Sequence, residues 1–467
     1  MSNNGQMKIK LKSLQSPFAL LCLGIVTRCI VYLFLSPYNN DAHITIVEYL
    51  VKHKTFPDIA DNYLAFHPPL YYWIAASILA LFKSDKVVQL FSLATSIGTL
   101  IVIYKLIYKV DLIASPRARL YSFLLTCFLP QFIMFGLYIS NDSLSILLGC
   151  LTVLEVVAYI KNPDWKQTVI LGAVTGLGLL TKTTFVAFLP VLLLFVLFLQ
   201  LREHHSLLKA VRAVAVLFAI SCALGSYKYI DNYARYKRPF INSLDVPVWS
   251  FQTRSYRGFG SYCDFDILRL LASPSISYEE VMGSATPNLS GSYPLLLYGT
   301  FWYQLIPESN FRGTVYKPFS YLGSVIYLIA LVPTACFVLG LLRLLLRLLL
   351  FVKGFDRRRP DDRRMMGVYV AAALLAANTI VIIAAVAHYH VWTLMQGRYL
   401  FPSMVGTLVI FSAGVEIWER AKVGSVVLKS SMIVLMALFG LYFLSEVGYL
   451  ALYMIDPGIK ALIKGAV

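Results

Sequence analysis

Apolar runs of about 20 residues recur along this chain, each long enough to cross the hydrocarbon core of a bilayer as a helix. Hydrophobic residues make up 58% of the 467 and charged residues only 14%. The chain therefore reads as an all-α polytopic membrane protein. A net charge of +17 would suggest a nucleic-acid partner in a soluble protein. Here the positive residues fall in clusters between apolar runs, which is the pattern that orients a membrane protein, and no nucleic-acid partner is expected.

Lys8, Lys10 and Lys12 precede the first run, about Pro17 to Leu35. That run is too long for a signal peptide and lacks a small-residue cleavage site, so it reads as a retained anchor with a cytoplasmic N-terminus. Later clusters lie at Lys105 to Arg119, Lys161 and Lys166, Arg202 and Lys209, Arg343 to Arg364, and Arg420 and Lys422. Placing all of them on the cytoplasmic side predicts spans near 17–35, 87–108, 119–138, 143–160, 168–183, 184–201, 208–227, 318–341, 366–388, 400–418 and 424–453, about eleven in all. The run Pro68 to Leu81 breaks this parity if it crosses. It reads as a juxtamembrane or re-entrant helix with Pro68 and Pro69 in its first turn, and a twelve-span bundle is the alternative.

Three regions follow: a transmembrane module over 1–227 that includes a first outer loop at 36–67, a large outer loop at 228–317, and C-terminal helices at 318–467. The large loop is polar and aromatic, with Trp249, Tyr256, Tyr262, Tyr298, Trp302 and Tyr303. These aromatics either stack on the rings of a substrate or bury the loop against the membrane. Six of the seven cysteines lie within apolar runs, and no disulfide or zinc spacing is present.

With this topology the unusual polar residues collect at one membrane face. Asp41 follows the first span, His67 precedes the Pro-Pro run, Asn141 and Asp142 sit at one outer turn, Lys182 at the next, and Arg398 and Tyr399 before Pro402. Lys182 beside apolar sequence on the non-cytoplasmic side opposes the charge bias and costs energy. Acids suit a base or acceptor role, and Lys182 with Arg398 suit an anion such as phosphate.

The order of Asp41, His67-Pro-Pro-Leu-Tyr71-Tyr-Trp73, Ser140-Asn-Asp142, Gly178-Leu-Leu-Thr-Lys182 and Gln396-Gly-Arg-Tyr-Leu-Phe-Pro402 resembles the GT-C superclass of membrane glycosyltransferases. The similarity is greatest to the branch with protein O-mannosyltransferases and lipid A aminoarabinose transferases. It covers roughly the first 200 residues and the Arg398 segment; the large outer loop has no counterpart. The resemblance implies a GT-C-like bundle with juxtamembrane helices in its first outer loop. It also implies a hexosyl- or pentosyltransferase whose donor is a sugar on a polyprenyl phosphate. The acceptor is a lipid, glycan or protein on the non-cytoplasmic face, in a bacterial inner membrane or, in a eukaryote, the ER membrane.

In that chemistry Asp41 is the candidate general base, and Lys182 with Arg398 stabilise the phosphate leaving group. Asp142 is either a second functional acid or an N-cap of the helix that follows. His43, His67, Tyr71, Asn141 and Tyr399 complete the candidate substrate-binding set. Relatives commonly carry a second acid after the catalytic one, where this chain has Ala42 and then His43. His43 either orients Asp41 or is a wetted loop histidine. A lone Asp without an acidic neighbour is a poor metal site, so no metal ligands are assigned and a divalent ion stays a disfavoured option. Arg28, inside the first span, either pairs structurally or reaches a lipid phosphate.

Two rivals come from other classes. A transporter or flippase for lipid-linked sugars would show repeated halves and midplane groups, and neither is evident. A polysaccharide polymerase or ligase would rely on outer-loop arginines and histidine without the early Asp.

Overall fold

The computed structural model describes residues 16–38, 41–249, 258–276, 280, 288–303 and 317–455. Lys8, Lys10, Lys12, Tyr256 and the side chain of Trp249 lie outside the described residues. The described residues form a helical bundle without strands, and the chain is a multi-pass membrane protein.

Among the described residues nine helices are long and apolar enough to cross a membrane, and a bent pair makes ten. The first is α1 (Pro17–Phe34), capped by Ser16, whose hydroxyl accepts the Ala19 N–H at 3.0 Å. Two short helices follow, α2 (Ile44–His53) and α3 (Leu70–Phe82). The 13 residues of α3 extend about 20 Å, short of a crossing. The juxtamembrane helices expected in the first outer loop are therefore present. Next come α4 (Asp85–Tyr104) and the pair α5 (Pro116–Phe128) and α6 (Pro130–Leu137). Then follow α7 (Asn141–Lys161), α8 (Trp165–Leu179), α9 (Phe188–His204) and α10 (Leu207–Gly225).

About eleven spans were expected, and ten of them have a counterpart among the described helices that passes as long and apolar enough to cross, counting the bent pair as one. The eleventh is α8, which has only 15 residues; its helix stops at Leu179, and the chain turns to present Lys182 beside the start of α7. The single span expected over 119–138 is instead bent by 48° between α5 and α6. Pro130 has no N–H to continue the ladder, and Leu129 is extended there. Arg28 satisfies the carbonyls stranded at this break. Its Nη2 donates to Thr126 O at 2.9 Å and Nη1 to Cys127 O at 3.1 Å, while Nε donates to Ser96 Oγ at 3.0 Å. The fully buried guanidinium thus has a structural role, and the lipid-phosphate alternative falls away.

After α11 (Tyr227–Tyr236), part of the segment expected as a large outer loop enters the bundle as α12 (Tyr293–Trp302), whose Tyr293, Leu295 and Leu296 are buried. Trp302 Nε1 donates to Thr334 Oγ1 at 3.0 Å in α13 (Lys317–Gly354). The chain closes with α14 (Pro360–Tyr389), a 3₁₀ segment Gly397–Ser403, α15 (Met404–Trp418) and α16 (Lys422–Ile455). Away from the Asp142 end of α7, basic turns meet one another: Arg357 pairs with Glu203 at 2.5 Å and donates to Lys161 O at 3.0 Å.

Candidate active site

Five segments far apart in sequence bring the predicted polar residues to one end of the bundle. Asp142 lies in the first turn of α7, but it is Ser140 that caps this helix, its Oγ accepting the Asp142 N–H at 3.0 Å. The Asp142 carboxylate is left to bind Lys182 through Oδ1 and to accept from Ser140 Oγ at 3.2 Å through Oδ2. Lys182 is delivered by the turn after α8. Leu70 N–H ties that turn to α3 by donating to Leu180 O at 2.9 Å, and Asn141 Nδ2 ties it to α7 by donating to Thr181 O at 3.3 Å.

Arg398 is delivered by the 3₁₀ segment before α15, which three neighbours hold. Gly397 N–H donates to Thr300 Oγ1 of α12 at 2.6 Å, and Asn378 Nδ2 of α14 donates to Tyr399 O at 2.7 Å. On the third side α7 approaches at Gly149, where an added Cβ would lie 1.8 Å from Pro402 O.

Arg398 Nη1 pairs with Asp41 Oδ2 and stands 4.0 Å from Asp142 Oδ2. The order Asp41, Arg398, Asp142, Lys182 thus alternates in charge and sums to zero. Exposure decreases inward, from 30% for the Asp41 side chain to 7% for Arg398, 4% for Lys182 and 3% for Asp142. Asp41 forms the open edge, and the other three are packed beneath it. Burial of the Asp41 carboxyl works against ionisation, but the Arg398 guanidinium outweighs it and holds the group below the ordinary carboxylate range.

The loop carrying Asp41 is pinned by Tyr63, whose hydroxyl donates to Asp41 O at 2.5 Å. Ala42 is left-handed, with φ of 53°, a conformation that costs a residue bearing Cβ about 1–2 kcal/mol. His43 is buried, and its Nδ1 lies 2.7 Å from Tyr72 OH. It is therefore no wetted loop histidine. Burial pushes its pKa down to about 4, against the pull of Asp41. Its ring lies 5.6 Å from that of His67. Burial, reinforced by His43 and Lys182, also holds His67 well below the ordinary histidine range. Among the described residues, His67 Nδ1 and Arg398 Nε are buried without a hydrogen-bond partner.

Tyr399 lies between the two cations: its ring centroid is 5.1 Å from Lys182 Nζ and 5.0 Å from the Arg398 guanidinium carbon. Its hydroxyl accepts from Arg398 Nη2 at 3.2 Å. Tyr71 is turned elsewhere, its hydroxyl 3.0 Å from Ser92 Oγ, and Tyr72 is the tyrosine that meets His43. Among the described residues no group of three His, Cys, Asp or Glu side chains is placed to hold a metal ion.

Sequence reasoning missed Tyr63, Tyr72, Phe135, Thr300 and Asn378. Asn378 carried a usable signal, because an amide inside an apolar span is costly unless it is bonded. The others are ordinary aromatic and hydroxyl residues whose part depends on what folds against them.

Residues 66–226, about a third of the chain, match the family model described as dolichyl-phosphate-mannose-protein mannosyltransferase. The expected resemblance to the GT-C glycosyltransferases is present. The matched stretch holds His67, Tyr71, Asn141, Asp142 and Lys182, and leaves Asp41, His43 and Arg398 outside it. Two solved structures of ArnT from Cupriavidus metallidurans are loosely similar, each at 14% identity. The one bound to undecaprenyl phosphate covers 86% of this chain and 79% of its own at a TM-score of 0.38. The apo form covers 85% of this chain and 79% of its own at 0.36. A likeness this loose places no residue. No curated protein matches the chain.

Proposed function

We propose that this protein is an integral membrane glycosyltransferase. It moves a hexosyl or pentosyl group from a polyprenyl phosphate to an acceptor on the non-cytoplasmic face, of the bacterial inner membrane or, in a eukaryote, the ER. The observation that carries this reading is the neutral quartet of Asp41, Arg398, Asp142 and Lys182 at one end of a membrane bundle, with its carboxylate edge open and its cations beneath.

Asp41 accepts the proton of the acceptor hydroxyl as its oxygen bonds to the anomeric carbon. The bond from that carbon to the phosphate oxygen breaks, and its electron pair leaves with the lipid phosphate. Lys182 and Arg398 receive the added negative charge, each such contact being worth roughly 4 kcal/mol at 4 Å and an effective dielectric near 20, before desolvation. Asp142, with both oxygens engaged, holds Lys182 and backs Arg398. Asn141 sets the Lys182 turn, and His67 and Tyr399 border the phosphate region. His43 supports Asp41, and Tyr71 packs behind the motif. Attack opposite the phosphate inverts the anomeric centre without a covalent intermediate.

The test incubates purified protein with a panel of polyprenyl-phosphate sugars and membrane extracts, comparing wild type with Asp41→Asn. Transfer is expected from at least one donor, falling by more than about 100-fold in the variant. Equal transfer by both refutes the assigned base, and a product of retained configuration by NMR refutes the single displacement. Movement of a lipid-linked sugar across the bilayer without transfer would show a transporter.

A further inference from the structure

The guanidinium of Arg398 is used unevenly. Nη1 is committed to Asp41. Among the described residues Nη2 donates only to the neutral Tyr399 hydroxyl, at 3.2 Å, and Nε, though buried, has no hydrogen-bond partner. Nε–H and Nη2 form the side-on edge of an arginine, the edge that takes two oxygens of one phosphate in a forked contact. The plane of this edge is fixed in advance, because the guanidinium carbon lies 4.8 Å from the Phe135 ring centroid and 5.0 Å from that of Tyr399.

The side chain therefore offers a base on one nitrogen and a preorganised anion fork on the other two. We infer that a single guanidinium spans the base and the leaving group: Arg398 keeps Asp41 on Nη1 while its Nε and Nη2 edge takes two oxygens of the lipid phosphate. This inference rests on the polyprenyl-phosphate reading above and adds a positioning role to it. An in-line displacement needs the acceptor oxygen between the base and the anomeric carbon, with the phosphate on the far side. One rigid plane shared by both groups sets that separation. Asp142, 4.0 Å from Nη1, keeps the guanidinium from following the phosphate. A neutral phenol oxygen yields Nη2 to a phosphate, because the anion adds a full charge–charge attraction that the phenol lacks.

Lysine cannot span both groups, because its ammonium is a point charge without a fork. In Arg398→Lys, binding of the bare polyprenyl phosphate is expected to weaken by less than about tenfold, while kcat at saturating donor falls by more than about 100-fold. A kcat restored by saturating donor would leave Arg398 a phosphate ligand only and overturn the inference. A structure of the wild-type protein with polyprenyl phosphate, which needs no variant to fold, decides it directly. The expected result is Asp41 still on Nη1 with phosphate oxygens on Nε and Nη2. Phosphate displacing Asp41 from the guanidinium overturns the bridging role while leaving the donor reading intact. Failure of the wild type to bind polyprenyl phosphate sinks both.

Discussion

His43 is one side chain of this site whose protonation reads out in stability. Its pKa in the folded protein is about 4, against about 6.5 in an unfolded chain. Between those values the unfolded state binds the extra proton, so stability rises with pH across that window and is lost as pH falls through it. His67 is shifted in the same direction. Asp41 loses its contribution only at lower pH, because its folded pKa lies below the ordinary carboxylate value. The thermal midpoint in detergent should therefore be flat above about pH 6.5 and fall toward pH 4.5, and His43→Gln should remove much of that slope. An unchanged slope in the variant would show that His43 is not the group. Asp41, Lys182 and Arg398 were legible as site candidates because charged residues beside apolar sequence are expensive. Their pairing was not, since nothing in the chain order says that Arg398 meets Asp41 rather than Asp142.

At the scale of elements, the site depends on how closely α7 approaches the 3₁₀ segment before α15. Gly149 lies on the side of α7 that meets Pro402, two turns beyond the Asp142 that the same helix presents. In Gly149→Ala the new methyl meets a backbone carbonyl, which cannot rotate away, so the two segments must separate. Overpacking of this kind costs about 1–3 kcal/mol, and it parts the elements carrying Asp142 and Arg398. The variant should show a lowered unfolding midpoint together with a kcat loss exceeding its loss of folded protein. Wild-type kcat per folded molecule would show that the approach serves packing alone. Most helices could be read from apolar run length, whereas the cap offered at Asp142 is Ser140 instead. The bend at Pro130 and the early stop of α8 were not read correctly, because hydropathy runs on through both.

Across the whole molecule, the charge quartet and the basic turns occupy opposite ends of α7, with Asp142 at its start and Lys161 at its end near Arg357. The positive-inside bias then predicts that the Arg357 end faces the cytoplasm and the site faces outward. In intact cells an impermeant maleimide should label the exposed native Cys263 and miss a cysteine introduced by Arg358→Cys. Cys263→Ser is the control, and lysis should reverse the protection of position 358. Labelling of position 358 in intact cells with Cys263 protected would invert the topology and remove the proposed non-cytoplasmic acceptor.

The chain alone determined that this is a multi-span helical membrane protein with its costly polar residues gathered toward one face. That information is local: run length measures against bilayer thickness, and charge bias is counted loop by loop. The motif order likewise marked the resemblance to membrane glycosyltransferases. Only the tertiary structure decided which cation holds which acid, that Arg28 closes a helix break, that α12 enters the bundle, and that Arg398 Nε is left without a hydrogen-bond partner among the described residues. Those outcomes depend on distances between segments up to 357 residues apart, which close packing sets and sequence spacing does not encode.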